Sequence, residues 1–430
     1  MPPPNLTDGQ LRAELARCQS CETRPCRAGC PASCSPGDFI LAARGGRPAD
    51  LQRAAAHILG HNVLGGVCGA LCPETLCMAR CTRGGLDRPV DIPAVQAAIV
   101  RRARALGGLA TPAPAPGSGQ RVAVVGAGPA GLGATALLAR AGHAVNVFDR
   151  ARRAGGMARL VPRHRLDPKV LEADVAWALG QGDVRLEPGK RVPLPRDLLS
   201  RGFAAVIVCA GLSEAAPLGV RGEARALAWT RFLARPPRLR GRRVAIIGDG
   251  AVAVDCAEVA LARGATHVEL LARKALPELG RAERDRLLGA GVHVTGRVRV
   301  TAIHGRGDRI TSVALRGVEL PAGQAFHPSR LVDVPRGDHL RRDLDTVAVA
   351  VGGQPGIRRE PHPRVVYAGD LETGPTTVVE ALASGKRAAL EVHRMLGGSD
   401  PACPDRDTCA EGSGCPRRAS CPEWNRPAAG

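Results

Sequence analysis

Aromatic residues make up only 2 % of this 430-residue sequence. Proteins that grip single strands of nucleic acid stack bases on Phe, Tyr or Trp, so such scarcity argues against that class. Lysine is almost missing as well: Lys169, Lys190, Lys274 and Lys386 are the four lysines among 60 basic residues, and arginines run along the whole chain. The formal charge of +20 is therefore read as biased composition rather than a nucleic-acid patch, and bound anions would subtract from it. Met1 to Arg12 lacks the apolar core of a secretory signal. The longest uncharged run, Val122 to Ala139, is broken by four glycines and Pro129, unlike a membrane span. A cytoplasmic protein with no nucleic-acid partner and no membrane insertion is expected.

What is present is 44 % apolar residues, enough for two or three domain cores, and fifteen cysteines. In a reducing compartment clustered cysteines bind metal or move electrons more often than they form disulfides. Nine lie between Cys18 and Cys81, Cys209 and Cys256 stand alone, and four fall between Cys403 and Cys421. Thr111 to Gln120 (TPAPAPGSGQ) has linker composition and closes the first cysteine block.

After it, Arg121 to Val125 reads as a buried strand, then a glycine turn, a helix to Arg140 and a strand at Ala144 to Phe148. This is a βαβ unit. The same order returns at Arg243 to Ile247, with a helix to Arg263 and a strand at His267 to Leu271. Strands at Asp343 to Val351 and Arg364 to Ala368 are expected to return the chain to the first of these domains.

Each βαβ unit carries a phosphate-binding turn. Gly126, Gly128, Pro129, Ala130 and Gly131 fit G-x-G-x-x-G, where bare glycines let a pyrophosphate approach the helix N-terminus. Asp149, 23 residues after Gly126, is placed to accept hydrogen bonds from a ribose 2′-hydroxyl. Gly248, Gly250 and Ala253 fit the G-x-G-x-x-A form, and Arg273 with Lys274 lies just past the following strand. Basic residues there suit the 2′-phosphate of NADP, with NAD as the alternative. Gly369 and Asp370 lead into a helix expected over Pro375 to Ala383, opened by Thr376 and Thr377, whose N-terminus would stabilise an anion.

Cys18-x2-Cys21-x4-Cys26-x3-Cys30-Pro31 and Cys68-x3-Cys72-Pro73-x4-Cys77-x3-Cys81 have the short, irregular intervals and Cys-Pro steps of iron–sulfur ligation. Zinc, the alternative, usually takes two paired knuckles per ion.

These cysteines, with HNVLGGVCGALCPETLC (His61 to Cys77), GAGPAG, GGMARLVPRHRLDP (Gly155 to Pro168), GDGAVAVDC and AGDLETGPTTVVEA, resemble the electron-input half of dihydropyrimidine dehydrogenase and the related small subunit of NADPH-dependent glutamate synthase. The resemblance runs from about residue 10 to 400. It implies an α/β chain with an N-terminal α-helical domain holding two 4Fe-4S clusters, followed by two nested Rossmann-like domains for FAD and NAD(P)H. It implies ligand sets of Cys18, Cys21, Cys26 and Cys81 for one cluster and Cys30, Cys72, Cys77 and Gln96 for the other. It also brings Gly156, Met157 and Arg165 to the flavin. This sequence departs from the family in a shorter Cys72-to-Cys77 interval, in Ala251 where Asn or Asp is usual, and in Asp149 for the commoner Glu. Cys34 and Cys68 are left without roles.

The expected domains are 1–110 (iron–sulfur), a linker at 111–120, 121–235 with 335–398 (FAD), 236–334 (NAD(P)H), and a cysteine-rich tail at 399–430. In the tail Cys403, Cys409, Cys415 and Cys421 repeat every six residues, suiting a third iron–sulfur cluster or a zinc. Residues 121–208 lack cysteine, so no redox dithiol sits beside the flavin. The reaction implied is hydride exchange between C4 of NADP(H) and N5 of FAD, then single electrons through the clusters to a separate catalytic subunit or a ferredoxin-like carrier. No side-chain acid or base is demanded. The alternatives are a stand-alone NADPH:ferredoxin-type reductase and a metal-bound, nucleotide-sensing binding protein.

Overall fold

The computed structural model describes residues 6–107, 109 and 113–398; the tail cysteines Cys403, Cys409, Cys415 and Cys421 lie outside them. By contacts the chain divides into two units, one of residues 1–159, 163–211 and 355–430 and one of 160–162 and 212–354.

The first unit begins with helices α1 (Asp8–Arg17), α2 (Pro25–Ala28), α3 (Pro36–Ala43), α4 (Pro48–His61), α5 (Gly65–Leu71) and α6 (Ile92–Ala105). Thr7 and Gln10 form a reciprocal capping box at the start of α1. Proline at the first turn of α2, α3, α4 and α6 fixes φ where no amide partner is needed. Phe39, Ile40, Ile58, Val95 and Ile99 form the core of this block.

Strand β1 (Arg121–Val125) leads into α7 (Pro129–Arg140) and β2 (Ala144–Asp149), followed by α8 (Pro168–Leu179), β3 (Val184–Pro188), α9 (Asp197–Ser200) and β4 (Ala205–Val208). The second unit contains β5 (Glu214–Ala215), β6 (Leu227–Ala228), α10 (Trp229–Ala234), β7 (Arg243–Ile247), α11 (Ala251–Ala262), β8 (His267–Leu271), α12 (Arg281–Gly289) and β9 (His293–Thr295). An antiparallel sheet of β10 (Val298–Arg306), β11 (Arg309–Glu319) and β12 (Val332–Arg341) comes next, then β13 (Thr346–Val349) and β14 (Gly353–Gln354). The chain completes the first unit with β15 (Val365–Tyr367), α13 (Asp370–Thr373) and α14 (Val378–Met395).

The two parallel sheets have the orders β15-β4-β1-β2-β3 and β6-β13-β7-β8-β9. The first reverses direction beside β1 and the second beside β7, and ligands of open α/β sheets bind at the carboxyl ends of strands at that reversal. Both glycine turns follow those strands.

Three expectations are corrected. The strand expected at Asp343 to Val351 does not return to the first sheet: β13 pairs in parallel with β7, and only β15 rejoins the first sheet, beside β4. A largely apolar strand such as TVAV fits the middle of either sheet, so its letters do not choose. The second unit consequently runs from Leu212 to Gln354, wider than 236–334. Nor does the helical block separate at the linker. The buried Asp174 of α8 accepts hydrogen bonds from Val67 of α5 and Arg104 of α6, and Arg140 of α7 donates to the carbonyls of Leu59 and Gly60.

Among the described residues no single helix is long and apolar enough to cross a membrane; α4 and α5 reach that length only across an 88° bend.

Candidate functional site

Two recesses in the helical block gather the cysteines. Cys18, Cys21, Cys26 and Cys81 line the first with Arg24, Gly37 and Thr82, and it is an open recess of about 360 Å³, counting its solvent-side space. The second, also about 360 Å³, is lined by Cys30, Cys72, Cys77 and Gln96, and by Cys34, Cys68, Asn62 and Val379. Chain geometry explains the grouping. Short helices separated by prolines turn the backbone every few residues, so Cys18 caps α1, Cys26 lies in α2 and Cys72 caps α5.

The surroundings of the thiols suit sulfurs held as metal-bound thiolates. Burial pushes the Cys26 thiol up to about 11 and the Cys77 thiol to about 12. A hydrogen bond to Cys68, with burial, raises Cys72, and burial raises Cys30 and Cys34. Bound metal reverses that cost, because a coordinating thiol loses its proton outright. Backbone amides already point at the sulfurs: Gly37 at Cys26, Ala32 and Cys34 at Cys30, Met78 at Cys77. Amide-to-sulfur bonds of this kind tune iron–sulfur clusters.

A lone zinc would draw its thiolates to about 2.3 Å of one point, yet among the described residues no three Cys, His, Asp or Glu side chains are gathered closely enough for a single ion. Thiols spread around an open recess fit a bulkier inorganic core.

Gln96 is 8 % exposed, and its Nε2 donates to the Gly65 carbonyl at 2.7 Å. That bond fixes the carboxamide in place at the second recess. Cys34 and Cys68 line the same recess, so it holds more donors than four-point ligation requires. The sequence did show both thiols, but no spacing rule assigned them.

The first glycine turn needs its glycines. Gly126 has φ +105°, and a Cβ there would lie 2.3 Å from the Cys209 carbonyl oxygen; one on Gly131 would lie 1.8 Å from the Gly126 carbonyl. Gly128 caps α7, with Pro129 at its first turn and Ala130 next. Asp149 does more than wait for a ribose: Oδ2 accepts the Ala127 amide at 2.6 Å and Oδ1 the Ala151 amide at 2.7 Å, bracing the turn. Gly155 donates to the Ala127 carbonyl at 2.7 Å, which lays Gly156 against Gly128 and starts the 3-10 turn Gly156–Leu160 containing Met157. Arg165 follows, half-buried, just before α8.

Gly369 packs against Ala130, and its amide donates to Ser384 Oγ at 2.9 Å, a partner the motif reading missed. Burial raises the carboxyl of Asp370, which accepts from Thr376 Oγ1 at 2.6 Å. Thr377 and Glu380 cap α14 reciprocally. The helix expected at Pro375 to Ala383 starts at Val378 and runs to Met395, longer because Ala, Leu and Val keep meeting α7. The structure thus brings Gly126–Gly131, Asp149, Gly156 and Gly369 to one end of the first sheet.

In the second unit, Gly248 stands 2.3 Å, by its would-be Cβ, from the Ala350 carbonyl, and Gly250 caps α11, with Ala253 in its first turn. Arg273 and Lys274 are half-exposed beyond β8, and Lys274 Nζ lies 5.2 Å from the Phe326 ring centre, a cation–π contact. Cys209 and Cys256 are buried, free thiols, Cys209 pushed up to about 12 by burial.

Comparison with known proteins agrees with this geometry. Residues 3–107 match the family described as dihydropyrimidine dehydrogenase domain II, 4Fe-4S cluster, and residues 120–385 match pyridine nucleotide-disulphide oxidoreductase. The chain is 31 % identical over 403 residues to the NAD-dependent dihydropyrimidine dehydrogenase subunit PreT of Escherichia coli strain K12, covering 90 % of this chain and 94 % of that protein. It is 32 % identical over 429 residues to the NADP(+)-dependent formate dehydrogenase subunit beta of Moorella thermoacetica, covering 87 % of this chain and 60 % of that one. Among solved structures, 6-hydroxypseudooxynicotine amine oxidase of Pseudomonas geniculata N1 shares the fold, with TM-score 0.51 and 18 % identity over 85 % of this chain and 51 % of that one.

Proposed function

This chain belongs to the pyridine nucleotide-disulphide oxidoreductase family, with a 4Fe-4S domain of the dihydropyrimidine dehydrogenase type ahead of it, and on that premise we propose that it is the electron-input subunit of a larger oxidoreductase. It is an NAD(P)H-dependent enzyme of FAD and 4Fe-4S clusters, in which reduced nicotinamide gives a hydride to the flavin and the electrons then move singly through the clusters. Cys18, Cys21, Cys26 and Cys81 hold one cluster, and Cys30, Cys72, Cys77 and Gln96 the other. The observation that carries this reading is the pair of separate, thiol-lined recesses in one helical block.

The residues of the chain bind and orient. The amides at the start of α7 take the flavin pyrophosphate, with Asp149 holding the turn and facing the ribose. Met157 and Arg165 lie along the segment that covers that turn. The N-terminus of α14, near Asp370, Thr376 and Thr377, favours added negative charge on the flavin. Gly248, Gly250 and Ala253 receive the nicotinamide dinucleotide, and Arg273 and Lys274 select the 2′-phosphate of NADP. The names of both curated relatives describe subunits, which supports a separate catalytic partner as acceptor or donor. Cys209 and Cys256, single and buried, offer no dithiol, so the family's disulfide chemistry is not assigned here.

The test is anaerobic purification with iron, sulfide and flavin analysis, then titration with NADPH and NADH and a pull-down. About eight irons and one FAD, bleaching by NADPH ahead of NADH, and a co-purifying oxidoreductase are expected. Zinc or no metal in the helical block would overturn the reading, and reduction of a soluble carrier with no bound partner would favour a stand-alone reductase.

A further inference from the structure

Lys386 is one of four lysines in a chain that otherwise uses arginine, and it lies on the helix that serves both cofactor regions of the first unit. Early in α14, Val379 lines the second cysteine recess. Further along, Ser384 holds the Gly369 amide and Gly385 presses against the Ala130 carbonyl of the flavin turn. One residue later Lys386 Nζ donates to the carbonyls of Ala32, at 3.0 Å, and His61, at 2.7 Å. Ala32 sits between Cys30 and Cys34, and His61 precedes Asn62; all three neighbours line that recess.

The chemistry of this contact is specific. Two converging carbonyl oxygens suit a compact ammonium with rotatable donors better than a planar guanidinium. The two carbonyl oxygens orient the ammonium beside the recess. The positive field reaches the cysteine loop, because the Ala32 carbonyl that holds the ammonium lies between the recess-lining Cys30 and Cys34. In a half-buried site such a field is weakly screened, and it favours whichever oxidation state of a neighbouring group is more negative.

We propose that Lys386 is a positioning residue that ties the Cys30–Cys34 loop to the flavin-bearing helix and, as a fixed cation, raises the reduction potential of the cluster in the second recess. The proposal rests on the reading that this recess holds a 4Fe-4S cluster. The step it governs is a one-electron transfer from reduced flavin to that cluster, in which no bond forms or breaks. By its field Lys386 draws electrons to the second recess, nearest α14, before the first.

The experiment uses the full-length holoprotein with Lys386→Gln, Lys386→Met and Lys386→Arg, prepared without oxygen. Iron and flavin are counted, and each cluster is followed by EPR during a dithionite titration with redox mediators. A Cys18→Ser background identifies the second cluster's signal. At the wild-type midpoint of that cluster, Gln and Met should lower the reduced-to-oxidised ratio about tenfold, equal to about 59 mV for one electron. The first cluster should stay unchanged and Arg should recover most of the shift. Loss of iron from the second recess alone in Gln and Met, with retention in Arg, also supports the proposal. An unchanged ratio in both neutral variants, or equal shifts in both clusters, overturns it. Wild-type protein without iron would instead sink the cluster reading itself.

Discussion

Arg104 Nη2 donates to Asp174 Oδ1 at 2.6 Å, joining the last helix of the cysteine block to α8 of the flavin-binding part through a carboxylate with no exposed side-chain surface. The other oxygen takes the Val67 amide at 2.7 Å. Asp174→Ala leaves a guanidinium and an amide without their partner, so a loss of ~3–5 kcal/mol is expected. Denaturant unfolding monitored with both cluster and flavin absorbance checks it; the two signals should be lost together.

Burial raises the Asp174 carboxyl from 3.8 to about 6. The folded chain therefore holds this proton more tightly than the unfolded chain does. The stabilisation is complete below about pH 4 and is lost as pH rises through about 6. Relative to wild type, Asp174→Asn, which cannot titrate, should gain stability across that window and hold it flat above. Unfolding free energies of the two proteins at several values between pH 4.5 and 7.5 test the sign.

Gly126→Ala forces a methyl to within 2.3 Å of the Cys209 carbonyl at a positive φ that alanine disfavours. Such protein should purify brown but without yellow: flavin absent, iron near wild type. Iron and flavin assays on one preparation give the answer.

Cys18→Ser and Cys30→Ser should each remove one cluster, about four irons, and each should spare the other cluster's EPR signal. Loss of both clusters from either substitution would mean that the two recesses are not independent sites.

Replacing Arg273 and Lys274 with alanine removes charge-assisted bonds worth ~1.5–3 kcal/mol each. KM for NADPH should rise at least tenfold while that for NADH moves little. Equal effects on both nucleotides would place the specificity elsewhere.

Cys209→Ala and Cys256→Ala should keep pyridine-nucleotide-dependent dye reduction, since both thiols are buried and single. A drop to background from either would reinstate disulfide chemistry.

Much of this was legible in the letters because it depends on local rules. G-x-G-x-x-G after an apolar strand demands a turn whose φ only glycine readily adopts, and Cys-x2-Cys-x4-Cys from the end of α1 to the proline-started α2 keeps three thiols on one short stretch of chain. Those constraints act over a few residues, so sequence alone fixed two nucleotide-type turns, the cysteine block and the family. Tertiary packing decided the rest. Which sheet accepts TVAV at 346–349 depends on free pairing edges rather than on its own apolar side chains. That Cys34 and Cys68 join Cys30 and Cys72, or that Lys386 reaches Ala32 across more than 350 residues of chain, follows from helices docking on one another, and no local spacing encodes it.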